Sequence, residues 1–238
     1  MESLKGKSVL VTGATGGIGT QLVRLLVGSG AKVFVAGRNA EKLNNLAIEL
    51  TIPQAQVLIM DIANETSVNS AIDQLLLVSP VVDIVINAAG IGIIKTMDLL
   101  TSVEFEQTLQ TNLFGTFYLL KRILPVMKLV KKGLIINIPG VLGKIPMAGA
   151  AAYCASKYGL TGMLQSIREE LKRTDIRITN LYLGGVDSPF WDNIDLRVQR
   201  DKMIITEEAA KAIWFLCQQP SSGVVSEMVL QPFNHQAI

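Results

Sequence analysis

Val11-Thr12-Gly13-Ala14-Thr15-Gly16-Gly17-Ile18-Gly19 closes an apolar run that begins at Ser8, and it leads straight into a helical pattern over Ile18–Gly28. A strand, a glycine cluster and a helix start in that order form an anion cradle. Glycines let backbone N–H groups approach a pyrophosphate, and the helix N-terminus adds a favourable dipole. The spacing is Gly-x-x-x-Gly-x-Gly rather than Gly-x-Gly-x-x-Gly. Its position between a strand and a helix is what such a motif requires.

The same alternation continues along the chain. Lys32–Ala36, Val57–Met60, Asp83–Ile86, Leu134–Ile138, Arg177–Leu181 and Met228–Leu230 read as further strands. They are rich in Val, Ile and Leu with little alternation, as parallel strands covered on both faces should be. Helical patterns fall between them at Ala40–Leu50, Ser67–Val78, Val103–Val130, Ala150–Arg173 and Glu207–Gln218. Pro125 predicts a kink or break in the fourth of these six helices, and Thr206 is the expected N-cap of the last. The expectation is an α/β fold: one Rossmann-type, doubly wound parallel sheet of about seven strands with helices on both faces. No linker or repeat divides the chain, so residues 1–238 read as a single domain.

The second strand ends Val35-Ala36-Gly37-Arg38-Asn39. An acid here would accept from the ribose hydroxyls of NAD and repel a 2′-phosphate. Arg38 would instead pair with that phosphate through charge-assisted hydrogen bonds, and Thr15 could donate to it. The expected cofactor is therefore NADP rather than NAD.

Composition narrows the chemistry. The 238 residues are 49% hydrophobic and 18% charged, with a formal net charge of +2, a balance that points away from nucleic acid. Lys131-Lys132 reads as surface charge, and so does the set Arg197, Arg200 and Lys202, with contact to an acidic carrier or thioester tail as the alternative. Two cysteines, Cys154 and Cys217, give neither a disulfide framework nor a zinc cluster. The single histidine, His235, makes histidine-based catalysis and a metal site unexpected. Met1–Lys7 lacks a signal-peptide core, and runs such as Leu75–Val78 are too short to span a bilayer. A cytoplasmic protein without a membrane partner is expected.

Tyr153 and Lys157 stand four residues apart in Tyr153-Cys154-Ala155-Ser156-Lys157. On a helix they share a face. A nearby ammonium favours phenolate, so the pair predicts a phenol of lowered pKa, suited to general acid–base work on a carbonyl or alcohol.

Taken together, these motifs resemble the short-chain dehydrogenase/reductase family over nearly the whole chain. Thr12 through Gly19, with Gly13, Gly16, Gly17 and Ile18, matches its glycine motif. Asp61, followed by Ile62, matches its adenine-contacting acid. Asn87-Ala88-Ala89-Gly90 matches the motif after the fourth strand, and Asn112 its helical asparagine. The resemblance implies that Tyr153 donates or accepts the proton and that Lys157 holds the nicotinamide ribose. It implies that Asn112 helps hold a water leading to Lys157, and that Val186 and Ser188 contact the carboxamide, with Ser188 in place of the usual threonine. It further implies a homodimer or homotetramer formed through the two long helices, with the apolar tail Val229–Phe233 joining another contact.

The chain departs from the family at one catalytic position. The usual serine about a dozen residues before the tyrosine is absent: the chain reads Asn137-Ile138-Pro139-Gly140, with Gly140 at the catalytic site. No Ser or Thr occurs from Ile138 to Ala152. Loss of one such donor costs on the order of 100–1000-fold in rate. Leu183 also replaces the usual proline before Gly184. Two loops, about 141–150 and 187–205, are expected to flank the substrate, with Leu142, Met147, Phe190 and Trp191 in the pocket. The expected function is NADP(H)-dependent hydride transfer with an apolar ketone or secondary alcohol, impaired by Gly140. The alternative is an NADP(H)-binding sensor or scaffold with little catalysis.

Overall fold

Ser8–Thr12 (β1) is buried at every position and stands near the middle of a seven-stranded parallel sheet. The structure is a computed structural model that describes residues 1–192, 194 and 196–235. Asn193 and Asp195 of the second expected loop, and residues 236–238 of the expected domain, lie outside the described residues.

On one side of β1 run Lys32–Gly37 (β2) and Val57–Ile59 (β3). On the other run Ile84–Asn87 (β4), Lys132–Asn137 (β5) and Asp175–Leu183 (β6). Val186–Asp187 (β7) and Ile204–Ile205 (β8) form a separate two-stranded ladder, and Glu227–Leu230 (β9) closes the main sheet beside β6. The main order is β3-β2-β1-β4-β5-β6-β9, with every pairing parallel. Winding reverses between β1 and β4, so the loops at their carboxyl ends diverge and open a crevice.

The helices are Gly17–Gly28 (α1), Ala40–Glu49 (α2), Glu65–Val78 (α3), Ser102–Leu109 (α4), Gly115–Val130 (α5), Ala151–Glu170 (α6) and Thr206–Leu216 (α7). Strands β1 to β6 each feed two cores. Val9, Val11, Val33 and Val35 meet Leu22 and Leu26 of α1, Leu43 of α2 and Ile213 of α7. Leu10, Phe34 and Val85 face the opposite layer, with Ile72 of α3, Leu119 and Ile123 of α5, and Leu160 and Leu164 of α6. This two-sided burial explains the unbroken apolar runs in the sequence.

Three local expectations are corrected. The long helix expected over Val103–Val130 is interrupted at Gln110–Phe114 by a π turn, not at Pro125. Pro125 lies inside α5, which continues to Val130 because Leu119, Ile123, Val126 and Met127 anchor both sides of it in the core. Thr206 is the first residue of α7 rather than its cap. Ile205 takes the cap position because it pairs in β8, and Thr206 Oγ1 donates to the Glu207 carboxylate.

The chain beyond β9 returns over the sheet's carboxyl edge. A Cβ on Gly184 would lie 2.6 Å from Pro232 Cδ, so Pro232 is seated directly on Gly184.

Candidate active site

The carboxyl ends of the strands enclose a cavity of about 820 Å³. Its floor is the first expected motif. Gly13, Gly16, Gly17, Ile18 and Gly19 line it, together with Asn87, Ala88 and Gly90. Gly13 has φ 66°, and a Cβ there would stand 2.8 Å from Ala88 O, so only glycine lets the two loops touch. Thr12 Oγ1 donates to Asn87 Oδ1 at 2.7 Å, and Asn87 Nδ2 donates to Thr116 Oγ1 at 2.7 Å. These bonds tie β1, β4 and α5 together beneath the glycine loop. Helix α1 has Gly16 at its N-cap position, which offers no side chain to cap it. Its first-turn amides therefore have neither an intrahelical acceptor nor a capping side chain, and they fit a pyrophosphate.

Thr15, Arg38, Asp61 and Ile62 lie outside the cavity lining. Thr15 Oγ1 comes within 3.7 Å of a Cβ built on Gly37, which brings the hydroxyl to the end of β2 beside exposed Arg38. No acid occupies that strand end. Asp61 Oδ1 accepts from Ala63 N at 3.0 Å and Asp61 N donates to Ser67 Oγ at 3.0 Å, which fixes the turn after β3. Ile62 is buried against Gly115.

The candidate catalytic groups gather around Gly90. A Cβ there would stand 3.2 Å from Asn112 Oδ1 and 3.8 Å from Lys157 Nζ. Asn112 sits in the π turn, buried. Its Oδ1 accepts from Ile91 N at 2.9 Å, and its Nδ2 donates to Ile91 O at 2.9 Å and to Ser156 Oγ at 3.0 Å. The amide thus fixes the turn after Asn87–Gly90 and joins it to α6. A π turn re-aims one residue of a helix, a device common at functional sites.

Lys157 is buried, and its Nζ donates to Ile138 O at 2.9 Å. Nζ lies 5.4 Å from the Tyr153 ring centroid, as the four-residue spacing requires. Burial lowers the Lys157 ammonium to about 8. The phenol departs from expectation: burial pushes Tyr153 well above the usual tyrosine range, with the neighbouring Cys154 adding to the rise. Desolvation of the phenolate outweighs the attraction of the nearby lysine. The Phe190 ring contributes to that enclosure, with its centroid 5.8 Å from that of Tyr153.

Gly140 lines the cavity with φ 71° and ψ 169°, a backbone region populated almost only by glycine. A Cβ there would meet Leu183 O at 3.4 Å, an ordinary contact. Residue 140 is therefore constrained by backbone conformation rather than by crowding.

Both expected loops face the cavity. Leu142, Met147, Phe190 and Trp191 line it, as do Val186 and Ser188. Trp191 Nε1 donates to Val186 O at 2.9 Å. Arg200 clamps the second loop: its Nε donates to Asp187 Oδ1 at 2.6 Å, its Nη1 to Asp192 Oδ1 at 2.7 Å and its Nη2 to Ser188 O at 3.0 Å. Arg197 and Lys202 of the second expected loop line the cavity too, whereas sequence reasoning missed Pro232, Asn234 and His235, which also line it. The tail had a readable signal, because residues leaving a parallel edge strand emerge on the same side as every other strand end. Among the described residues, no cluster of three or more His, Cys, Asp or Glu could hold a metal ion.

A doubly wound parallel sheet, an uncapped glycine helix start and a Tyr–Lys pair beside a buried asparagine define an oxidoreductase of the short-chain type. The profile of the short chain dehydrogenase family matches residues 7–199, and the chain belongs to that family. It is 31% identical over 232 residues to an uncharacterized oxidoreductase of Staphylococcus aureus, covering 98% of this chain and 100% of the relative. Among solved structures, it resembles an alcohol dehydrogenase from the archaeon Thermococcus sibiricus complexed with 5-hydroxy-NADP. That match has a TM-score of 0.88 and 25% identity, over 98% of this chain and 100% of the other. A metagenomic short-chain oxidoreductase in complex with NADP matches with a TM-score of 0.83 and 29% identity, over 97% and 99% of the two chains.

Proposed function

We propose that this protein is an NADP(H)-dependent reductase or dehydrogenase acting on an apolar ketone or secondary alcohol, with Tyr153 as general acid or base. The convergence of Asn112 and Lys157 on Gly90, with Tyr153 beside Lys157 in the glycine-floored cavity, carries this reading. NADP-bound structural relatives support the cofactor class. When bound, the nicotinamide supplies or takes up the hydride.

The residues divide the remaining work. The first-turn amides of α1 hold the pyrophosphate, while Arg38 and Thr15 hold a 2′-phosphate. Asp61 and Ile62 meet the adenine, and Val186 and Ser188 hold the carboxamide. Lys157 presents its ammonium to the ribose. Asn112 positions the Gly90–Ile91 turn, and its Oδ1 keeps a second lone pair for a water leading to Lys157. Tyr153 is protonated at neutral pH, as tyrosines ordinarily are, and burial of the phenolate reinforces that state. It therefore begins a reduction as the acid, giving that proton to the developing alkoxide. Leu142, Met147, Phe190 and Trp191 exclude water and receive the apolar part of the substrate.

Gly140 supplies no hydroxyl to the reacting oxygen, so turnover is reduced by roughly 100–1000-fold relative to a site with that donor. The glycine-only backbone at this position also favours a second reading, an NADP(H)-binding sensor or scaffold. NADPH consumption with a panel of ketones distinguishes the two. Turnover that disappears in Tyr153→Phe while NADPH binding persists supports the enzyme. Tight NADPH binding without turnover in the native protein overturns it.

The exposed apolar residues Val103, Phe117 and Tyr158 on α4, α5 and α6 support a homodimer or homotetramer. A cytoplasmic location accords with the described residues, where no helix is long and apolar enough to cross a membrane.

A further inference from the structure

The charge around the cavity is one-sided. Among the described residues its lining includes Lys157, Arg197 and Lys202, and no Asp or Glu. Lys157 is buried and engaged with Ile138 O. Arg197 and Lys202 are exposed at the mouth, and neither belongs to an ion pair with a described residue. Arg200, between them in sequence, is different: Asp187 and Asp192 neutralise it. One cation of this segment is therefore spent on holding the loop, and two remain beside the cavity.

The facing wall is the returning C-terminal segment. Pro232 rests on Gly184, and His235 N donates to Pro232 O at 3.0 Å. Pro232, Asn234 and His235 line the cavity without contributing an acid. Among the described residues, the entrance thus pairs cations outside any ion pair with a wall that carries no Asp or Glu, while the interior beside Tyr153 is apolar. Uncompensated cations around a low-dielectric cleft concentrate anions. Cofactor phosphates have partners elsewhere in the reading above, at the start of α1 and at Arg38.

We propose that this entrance is a carboxylate subsite, and that the substrate is an oxo acid, or the matching hydroxy acid. Its carbonyl carbon lies at Tyr153, and its carboxylate lies against Arg197 and Lys202, with an apolar stretch between them. The guanidinium of Arg197 offers a planar fork matched to a carboxylate, and Lys202 adds a point charge. This inference rests on the hydride-transfer reading and adds the substrate's second functional group.

The test compares oxo acids of graded chain length with their methyl esters, using the full chain and NADPH. At low salt the best acid exceeds its ester in kcat/KM by about tenfold, the scale of two solvent-exposed charge pairs. That ratio falls as ionic strength rises. In Arg197→Gln/Lys202→Gln the acid-to-ester ratio drops towards one, and in Arg197→Glu/Lys202→Glu it inverts. Equal use of acid and ester by the native protein overturns the proposal. So does a double variant that weakens NADPH binding and leaves the ratio intact, because the cations would then serve the cofactor. A strong preference for a carrier-protein thioester over the free acid overturns it as well. If no compound is turned over although NADPH binds, the hydride-transfer reading fails instead. Calorimetric binding of acid but not ester to the protein–NADP complex then still decides the subsite.

Discussion

Replacing Gly140 by Ala adds one methyl group to a backbone at φ 71° and ψ 169°. The new Cβ meets only Leu183 O, at 3.4 Å, so the side chain's surroundings add little penalty. The cost is that of holding an L-residue in a glycine-only region, about 1–3 kcal/mol. For a chain of this size each kcal/mol shifts Tm by roughly 2–4 °C. Urea denaturation and thermal melting of Gly140→Ala should therefore show a loss of about 2 kcal/mol and a Tm lower by about 4–8 °C. Gly140→Ser should lose the same amount, which separates backbone strain from any effect of the hydroxyl. Restoring a well-aimed donor would raise ketone reduction about 100–1000-fold. The Cβ direction here leads towards the Leu183 carbonyl, which competes for the serine proton, so the gain should stay below about tenfold, far under that range. Unchanged or increased stability in both variants would refute the reasoning, because residue 140 would then not be held at positive φ. A 100-fold gain in Gly140→Ser would refute the second half, by showing that the backbone turns to aim the hydroxyl at the substrate.

Lys157→Met should stabilise the protein at pH 7 by at most about 1.5 kcal/mol, since a burial penalty of about 3 kcal/mol is removed and a charge-assisted hydrogen bond worth about 1.5–3 kcal/mol is lost. The folded lysine titrates near 8 against 10.5 when unfolded, so native stability recovers as pH rises between those values, and the advantage of the Met variant should shrink over that window in urea titrations. Asn112→Leu leaves Ile91 N, Ile91 O and Ser156 Oγ without their partner, and chemical denaturation should report a loss of about 2–4 kcal/mol. Arg38→Ala should weaken NADPH binding about tenfold or more, in fluorescence titrations, while changing NADH binding little.

The sheet was legible because parallel strands buried on both faces must be apolar throughout: Val9, Leu10 and Val11 feed two cores and leave no polar alternation. The glycine loop was legible because close approach between Gly13 and Ala88 excludes any side chain. The Tyr153–Lys157 pair follows from helical spacing alone. Other features depend on contacts that local sequence does not encode. The π turn that aims Asn112 inserts an extra residue into a helix whose periodicity reads as continuous. Pro125 breaks nothing because tertiary packing overrides its local cost. The rise of the Tyr153 phenol comes from enclosure by residues distant in sequence, including Phe190. At residue 140 the glycine was readable, but its positive φ was not. Arg197 and Lys202 fall in a loop expected to flank the substrate, but their place beside the returning tail depends on the folded loop.

Hydride transfer at Tyr153 would leave an isotopic record in the product. NADPH carrying deuterium at the transferable position of the nicotinamide is incubated with the native protein, and with Tyr153→Phe, in the presence of oxo acids and simple ketones. Mass spectrometry of the products then reads where the label goes. Deuterium is expected on the carbinol carbon of the alcohol formed by the native protein, and none above background in Tyr153→Phe, which still binds NADPH. Equal labelling by both proteins would contradict the role of Tyr153. Saturating NADPH binding with no labelled alcohol in either would contradict the enzyme itself.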